Sequence, residues 1–193
     1  MSVAAVPAVA GLVGLALALI LMLGSATADK RESVTAADAA ALAAAQEWDR
    51  RLRLVFDRHV ALPDPAAWWA LAGGPALTGA THEAMRRSAA DYARRNGAQL
   101  VGFDVDAASR TVSVRVRHEA TVPRTEARMR ATASARVTLR GGLCVAGGRL
   151  GYLIDGSCVT RPAPAPEPGS PPLEDQDGPA AVRAYRSDVT LVD

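Results

Sequence analysis

The chain has 193 residues, which leave room for a single domain of about 100 residues once a membrane segment and a tail are subtracted. Apolar residues make up 49% of the chain but aromatic residues only 4%, so the core must be built mainly from alanine, valine and leucine. The net charge is +2, and two cysteines are too few for a disulfide framework of the kind that holds small secreted domains together.

An apolar run from Val3 to Leu23 opens the chain, and no charged side chain precedes Asp29. As a helix this run is about 30 Å long, which matches the hydrocarbon core of a bilayer. We therefore expect residues 1–28 to contain a single transmembrane helix. The alternative is a signal peptide cleaved after Ala28, because Ala26-Thr27-Ala28 has the small-x-small pattern of a cleavage site. The absence of lysine and arginine before the run, and its length, argue against cleavage.

Small residues recur at four-residue spacing within this run, at Ala10, Gly14 and Ala18. This spacing predicts a face along which helices pack closely in lipid. Lys30 and Arg31 follow the run, and the positive-inside rule taken alone would place the C-terminal side of the chain in the cytoplasm. Charge therefore argues against a domain outside the cytoplasm.

Residues 29–61 are predicted to form an alanine-rich helical stem that continues the transmembrane helix. Ser33 can cap this segment, because a serine side chain accepts a hydrogen bond from the free backbone amides of a first turn. Trp48, Leu52 and Val55 follow i, i+4, i+7 spacing and predict an apolar stripe on one face.

A small α+β domain is predicted over residues 62–160. A short helix is allowed over Ala66–Ala72, and Thr81 caps the one further helix that we expect, which ends near Asn96-Gly97. Three runs with a period of two follow, and they predict a three-stranded antiparallel sheet with one face covered by helix and the other in water. In the first run Val101, Phe103 and Val105 are expected to share a face. The predicted fold class is therefore α+β, with a transmembrane helix, a helical stem, one further helix and this sheet.

Cys144 and Cys158 enclose a glycine-rich segment that is typical of a small hairpin or loop. The sequence leaves two states open for them, a structural disulfide or reduced thiols. Residues 161–179 are expected to be a proline-rich linker, and residues 180–193 a C-terminal tail. Within that tail Ser187–Val192 is compatible with a strand or with a mobile segment.

The chain contains no motif typical of a catalytic, cofactor-binding or metal site. His59, His82 and His118 are far apart and match no zinc-binding spacing. Outward-facing arginines on the predicted sheet indicate a basic surface, namely Arg115, Arg117, Arg130, Arg136 and Arg140. Since no aromatic residues are interleaved with them to stack on bases, we expect no nucleic-acid partner.

The passage from the apolar run into the alanine-rich segment resembles the TadE/TadG-like proteins of the Tad (Flp) pilus assembly system. The residues that carry the resemblance are a charged step, Asp29-Lys30-Arg31-Glu32, and the segment Val34-Thr35-Ala36-Ala37-Asp38-Ala39-Ala40-Ala41-Leu42-Ala43-Ala44-Ala45. A second segment, Ala89-Ala90-Asp91-Tyr92-Ala93-Arg94-Arg95-Asn96-Gly97-Ala98, is also similar to the extracytoplasmic part of these proteins.

The resemblance implies a bacterial, minor-pilin-like component of pilus assembly or secretion, held in the cytoplasmic membrane with its domain outside. Its implied partners are membrane lipid and other pilin-like or machinery proteins. Two features of related proteins are missing. Neither Gly11 nor Gly14 is followed by the acidic residue of a prepilin cleavage site, and no D-x-S-x-S metal motif is present.

The sequence thus predicts a non-enzymatic, membrane-anchored protein without cofactor or metal. The alternative from another class is a secreted binding module released by cleavage after Ala28. A third hypothesis is an enzyme whose catalytic residues form no recognisable motif; it lacks any visible pair of nucleophile and base.

Overall fold

The computed structural model describes the backbone of residues 5–121, 127–162 and 182–192, with side chains from residue 31 onward except that of Pro65. These residues form three helices and seven strands. The helices are α1 (Ala5–Val60), α2 (Pro65–Trp69) and α3 (Gly79–Arg95); the strands are β1 (Ala98–Asp106), β2 (Thr111–Thr121), β3 (Arg128–Gly141), β4 (Leu143–Ala146), β5 (Arg149–Ile154), β6 (Ser157–Val159) and β7 (Arg186–Val192).

The alanine-rich part of α1 is the central element of the core. Its buried side chains include Ala36, Ala37, Ala40, Ala41, Ala44 and Ala45, followed by Trp48, Leu52 and Phe56. Alanine lets neighbouring backbones approach closely, so one stretch of helix contacts both α3 and the sheet. On the α3 side, the Ser88 hydroxyl donates a hydrogen bond of 3.2 Å to the Ala43 carbonyl oxygen.

The larger sheet has the strand order β1-β2-β3-β7 and is antiparallel throughout. Its inner face packs on α1 and α3 through buried small and β-branched side chains, which are Val112, Val114, Val116, Ala135 and Val137. Its outer face is polar, as the period of two predicts. At the centre of that face the Oγ atoms of Ser113 and Ser134 lie 2.8 Å apart in a hydrogen bond.

A β-bulge between Leu100 and Gly102 changes which side chains of β1 face inward. Leu100 pairs with Val116 and Phe103 with Val114, so both lie on the inner face. The bulge leaves Val101 between them, 44% exposed. The expectation that Val101 shares a face with Phe103 is therefore wrong, because the extra residue shifts the alternation by one position.

The predicted fold class is wrong in its numbers of helices and strands. α2 is a separate helix, capped by Asp64, whose carboxylate oxygens accept hydrogen bonds from the amides of Ala66 and Ala67. The C-terminal residues add β7 as a fourth strand, with Val189 opposite Val137. β4, β5 and β6 form a second, three-stranded antiparallel sheet in place of the expected hairpin or loop.

No helix among the described residues is both long enough and apolar enough to cross a membrane. The predicted transmembrane helix falls on side chains outside the described residues, so it stays a prediction. The backbone of α1 passes through the apolar run, but the side chains of Val3–Leu23 lie outside the described residues.

Candidate functional site

A group of arginines lies on the outer face of the larger sheet, at the end formed by the last residues of β2 and the first of β3. We call Arg115, Arg117, Arg128 and Arg130 the basic sheet end. Arg117 is directly opposite Arg130 across the β2–β3 ladder. Arg115 is opposite Thr132, and Arg128 is opposite Thr121. Alternation along each strand places all four side chains on the same outward face.

The side chains of the basic sheet end have few neutralising partners. Arg117 donates a hydrogen bond of 3.0 Å from a terminal guanidinium nitrogen to Gln99 Oε1. Its Nε is buried without a hydrogen-bond partner among the described residues. Arg115, Arg128 and Arg130 are exposed. Within the described part of the chain no ion pair joins any of the four to a carboxylate.

The structure divides the five predicted arginines into two groups. Arg115, Arg117 and Arg130 belong to the basic sheet end. Arg136 lies nearer the other end of β3, where its Nε donates to Thr111 Oγ1 at 3.2 Å. Arg140 forms an ion pair with Asp188 of β7. The contiguous basic surface is therefore smaller than predicted, because β7 supplies a carboxylate at one end.

Sequence reasoning missed Arg128, although the signal was present. Arg128, Arg130 and Thr132 alternate with Met129 and Ala131 in the same strand. Extending the period of two by one residue on the N-terminal side of β3 would have placed Arg128 on the outer face with Arg130.

An open cavity of about 490 Å³ lies beside the basic sheet end. Its lining residues come from α1, the end of α3 and β2, and they are Arg31, Glu32, Thr35, Asn96, Gly97 and His118. His118 Nε2 lies 3.6 Å from Glu32 Oε2. This contact shows where along α1 the end of β2 lies.

A second, more apolar groove of about 220 Å³ lies between the C-terminal half of α1 and the segment from α2 to α3. Its floor includes Trp48 and Leu52, and its rim includes Val55. Trp48 Nε1 donates a buried hydrogen bond of 3.0 Å to the Ala76 carbonyl oxygen. The lining also includes four polar side chains, Arg51, His59, Thr78 and Thr81.

The smaller sheet closes the core at the end opposite to the basic sheet end. Cys144 and Cys158 are joined there by a disulfide. The Tyr152 ring stacks on Trp68 at 4.0 Å, and its hydroxyl donates a hydrogen bond of 2.8 Å to the Trp68 carbonyl oxygen. Burial raises the pKa of Tyr152 to about 12. Trp68 is fully buried and belongs to the core.

The histidines occupy three unrelated places. His59 Nδ1 lies 2.8 Å from the Val55 carbonyl oxygen, and the His82 ring packs edge-on against Phe103. His118 faces Glu32. Among the described residues no group of three or more histidine, cysteine or acidic side chains is close enough to hold a metal ion.

The predicted helix-packing face at Ala10, Gly14 and Ala18 lies in α1, but on side chains outside the described residues. Comparison of the chain with protein families, curated proteins and solved structures finds no match.

Proposed function

We propose that the protein is a non-enzymatic, membrane-anchored component of pilus assembly or secretion, similar in role to TadE/TadG-like proteins. The observation that carries this proposal is the continuity of α1. One helix runs from Ala5 to Val60, so the backbone of the apolar run and the centre of the core belong to the same element. If the apolar run lies in lipid, it is joined to the domain by continuous helix, without a flexible linker.

The disulfide between Cys144 and Cys158 supports a position of the domain outside the cytoplasm. Disulfides persist in oxidising compartments and are rare in the cytosol. This observation opposes the expectation from Lys30 and Arg31, which favours the cytoplasm. We give the disulfide more weight, because the basic pair is only two residues long.

The partners in this proposal are membrane lipid and other pilin-like or machinery proteins. The apolar groove at Trp48, Leu52 and Val55 and the open edges of the larger sheet are surfaces that a protein partner could cover. The function would be physical, since the protein holds such surfaces at a fixed distance from the membrane.

The second candidate is a secreted binding module released by cleavage after Ala28. It is compatible with the position of the described core cluster, which lies from Ala36 onward and thus beyond Ala28. Cleavage after Ala28 would therefore leave those residues in one piece.

Intact mass of the protein purified from cells separates the two candidates. A mature chain that starts at Met1 or Ser2 and resists extraction from membranes by alkali supports anchoring. A mature chain that starts at Asp29 and is found in the soluble fraction supports secretion. Protease added to intact protoplasts should remove the domain in the anchored case, and protection until lysis would contradict the outward orientation.

A further inference from the structure

The pairing of Arg117 with Arg130 is unfavourable in the isolated chain. Like charges directly opposite in an antiparallel ladder destabilise a sheet. Arg128 and Arg115 extend the same face by one alternate position on either side of this pair. The cost of this repulsion disappears if a layer of negative charge covers the face.

Several other arginines among the described residues have carboxylate partners, and the basic sheet end is distinct because it groups four that have none. Glu47 pairs with Arg50 and Arg51, and Asp91 pairs with Arg94 and Arg95. Arg140 pairs with Asp188 on the same sheet. In the described part of the chain, the four arginines of the basic sheet end have no such partner.

The basic sheet end lies at the end of the domain from which α1 runs toward the apolar run. The contact between His118 and Glu32 places the end of β2 beside the N-terminal side of the described α1 side chains. Phe56, near the other end of α1, packs against Tyr152 and Tyr185. β2 therefore runs toward the N-terminal part of α1, and β3 begins there with Arg128.

The distances along α1 place this end close to a bilayer surface, if the apolar run is anchored. Arg31 is about 12 Å along the helix axis from Leu23, at ~1.5 Å per residue. The polar headgroup layer is roughly 5–8 Å thick on each side, and the attraction of an anionic surface extends about one Debye length, ~8 Å, beyond it. Arg128 begins β3 at the end of the sheet where His118 of β2 contacts Glu32 of α1, and an extended arginine side chain can cover part of the remaining gap.

Carboxylates are also present at this end, but they are outnumbered. Glu32 and Glu119 are its exposed acidic side chains among the described residues, and Glu32 already faces His118. Counted over the described residues alone, Arg31, Arg117, Arg128 and Arg130 give this end a net positive charge.

We propose that the basic sheet end docks on the anionic phospholipid headgroups of the membrane in which the apolar run is anchored. This inference rests on the proposed membrane anchoring. The contact fixes the tilt of the domain relative to the bilayer, and it leaves the apolar groove and the smaller sheet turned away from the membrane.

The test uses the full chain reconstituted in vesicles of phosphatidylcholine alone or with one-third phosphatidylglycerol. Amide hydrogen exchange is measured for peptides that cover Arg115–Thr121 and Arg128–Thr132. We expect exchange in these peptides to be at least about fivefold slower in the anionic vesicles, since a single arginine near an anionic surface already contributes roughly that factor in affinity.

The variant R117Q/R128Q/R130Q should lose this difference between the two kinds of vesicle. The matched control R58Q/R86Q/R87Q removes the same charge from exposed positions on α1 and α3. It should keep the difference in exchange between the two kinds of vesicle. If the triple variant does not fold, R128Q alone provides the test, because Arg128 is exposed at the start of β3. It should reduce the difference between the two kinds of vesicle. In detergent the triple variant should be at least as stable as the parent chain, because the repulsion between Arg117 and Arg130 is removed.

Two results separate the failure of this inference from the failure of the proposed function. If the full chain does not float with either kind of vesicle in a density gradient, the anchoring itself is wrong. If it floats with both but the exchange rates do not depend on lipid charge, the docking proposal is overturned and the anchoring stands. Exchange that slows only with added polyglutamate would also overturn it, in favour of an acidic protein partner.

Discussion

The hydroxyl of Tyr185 donates a hydrogen bond of 2.6 Å to Asp49 Oδ1, which joins the segment before β7 to the central helix α1. The Arg53 guanidinium lies 5.1 Å from the centre of the same ring, and Phe56 packs against its side. These contacts come from positions far apart in the chain. They hold the C-terminal strand against the core independently of its backbone pairing with β3.

Tyr185→Phe should lower the free energy of unfolding by about 1.5–2 kcal/mol, because it removes a half-buried hydrogen bond to a charged acceptor and keeps the ring. Tyr92→Phe is the matched control, since Tyr92 is 41% exposed on α3. It should change stability by less than about 0.5 kcal/mol. Urea unfolding followed by circular dichroism measures both. Equal effects would show that the bond to Asp49 adds nothing.

Alkaline pH should destabilise the protein between about pH 10 and pH 12. Burial raises the pKa of Tyr152 to about 12, and burial together with the bond to Asp49 raises the pKa of Tyr185 still further. A tyrosine in the unfolded chain titrates near pH 10, so the unfolded state loses its protons first. The stabilisation is therefore complete below about pH 10 and is lost as pH rises toward the folded-state pKa values.

The measurement is thermal unfolding against pH, with absorbance at 295 nm to follow phenolate formation. Tyr152→Phe should flatten the alkaline decline, because one of the two buried phenols is gone. If the melting temperature falls with pH at the same slope in the parent chain and in the variant, ionisation of Tyr152 does not contribute to the alkaline destabilisation.

Reduction of the disulfide between Cys144 and Cys158 should lower the free energy of unfolding by about 3 kcal/mol, as the chain-entropy model gives for a loop of about 15 residues. The double variant C144S/C158S should behave like the reduced parent, and it should not respond to dithiothreitol. Thermal unfolding with and without reductant measures the effect. A parent chain whose unfolding is the same in both conditions would contradict a structural role for the bridge.

Gly151→Ala should be strongly destabilising, by about 2–4 kcal/mol. A Cβ at this position of β5 would lie 2.6 Å from the Val159 carbonyl oxygen of β6, and both atoms belong to a paired part of the smaller sheet. Gly79→Ala is the control, because a Cβ there meets nothing within 4 Å and alanine is the better helix former. Chemical denaturation should show a lower free energy of unfolding for Gly151→Ala and an unchanged or higher one for Gly79→Ala.

The period of two in the sequence was sufficient to predict three neighbouring strands of the larger sheet. It failed locally at Val101, where a bulge adds a residue; the signal was Gly102, because an isolated glycine within a strand pattern often marks a bulge. It also gave no firm assignment for β7, because Ser187–Val192 is short and pairs with β3 across a long separation in sequence. Local patterns do not contain the information for such pairing.

The alanine-rich segment was predicted as a helix but not as the centre of the core. Alanine has a small transfer free energy and does not by itself indicate burial. Ala40 and Ala44 are in the core because α1 packs against both α3 and β3, whose side chains in the same cluster include the small Ala89, Ala133 and Ala135. The basic sheet end was predicted only in part. The pairing of Arg140 with Asp188 depends on β7, and local patterns did not assign that strand.

The position of β7 in the chain also determines when the larger sheet can be completed during synthesis. About 50 residues separate the end of β3 from the end of β7, and translation at ~5–20 residues per second needs several seconds to add them. Throughout that time the edge of β3 has unpaired backbone amides and carbonyls. A chain interrupted before residue 186 would expose this edge, so incomplete chains of this protein should aggregate more readily than the full chain.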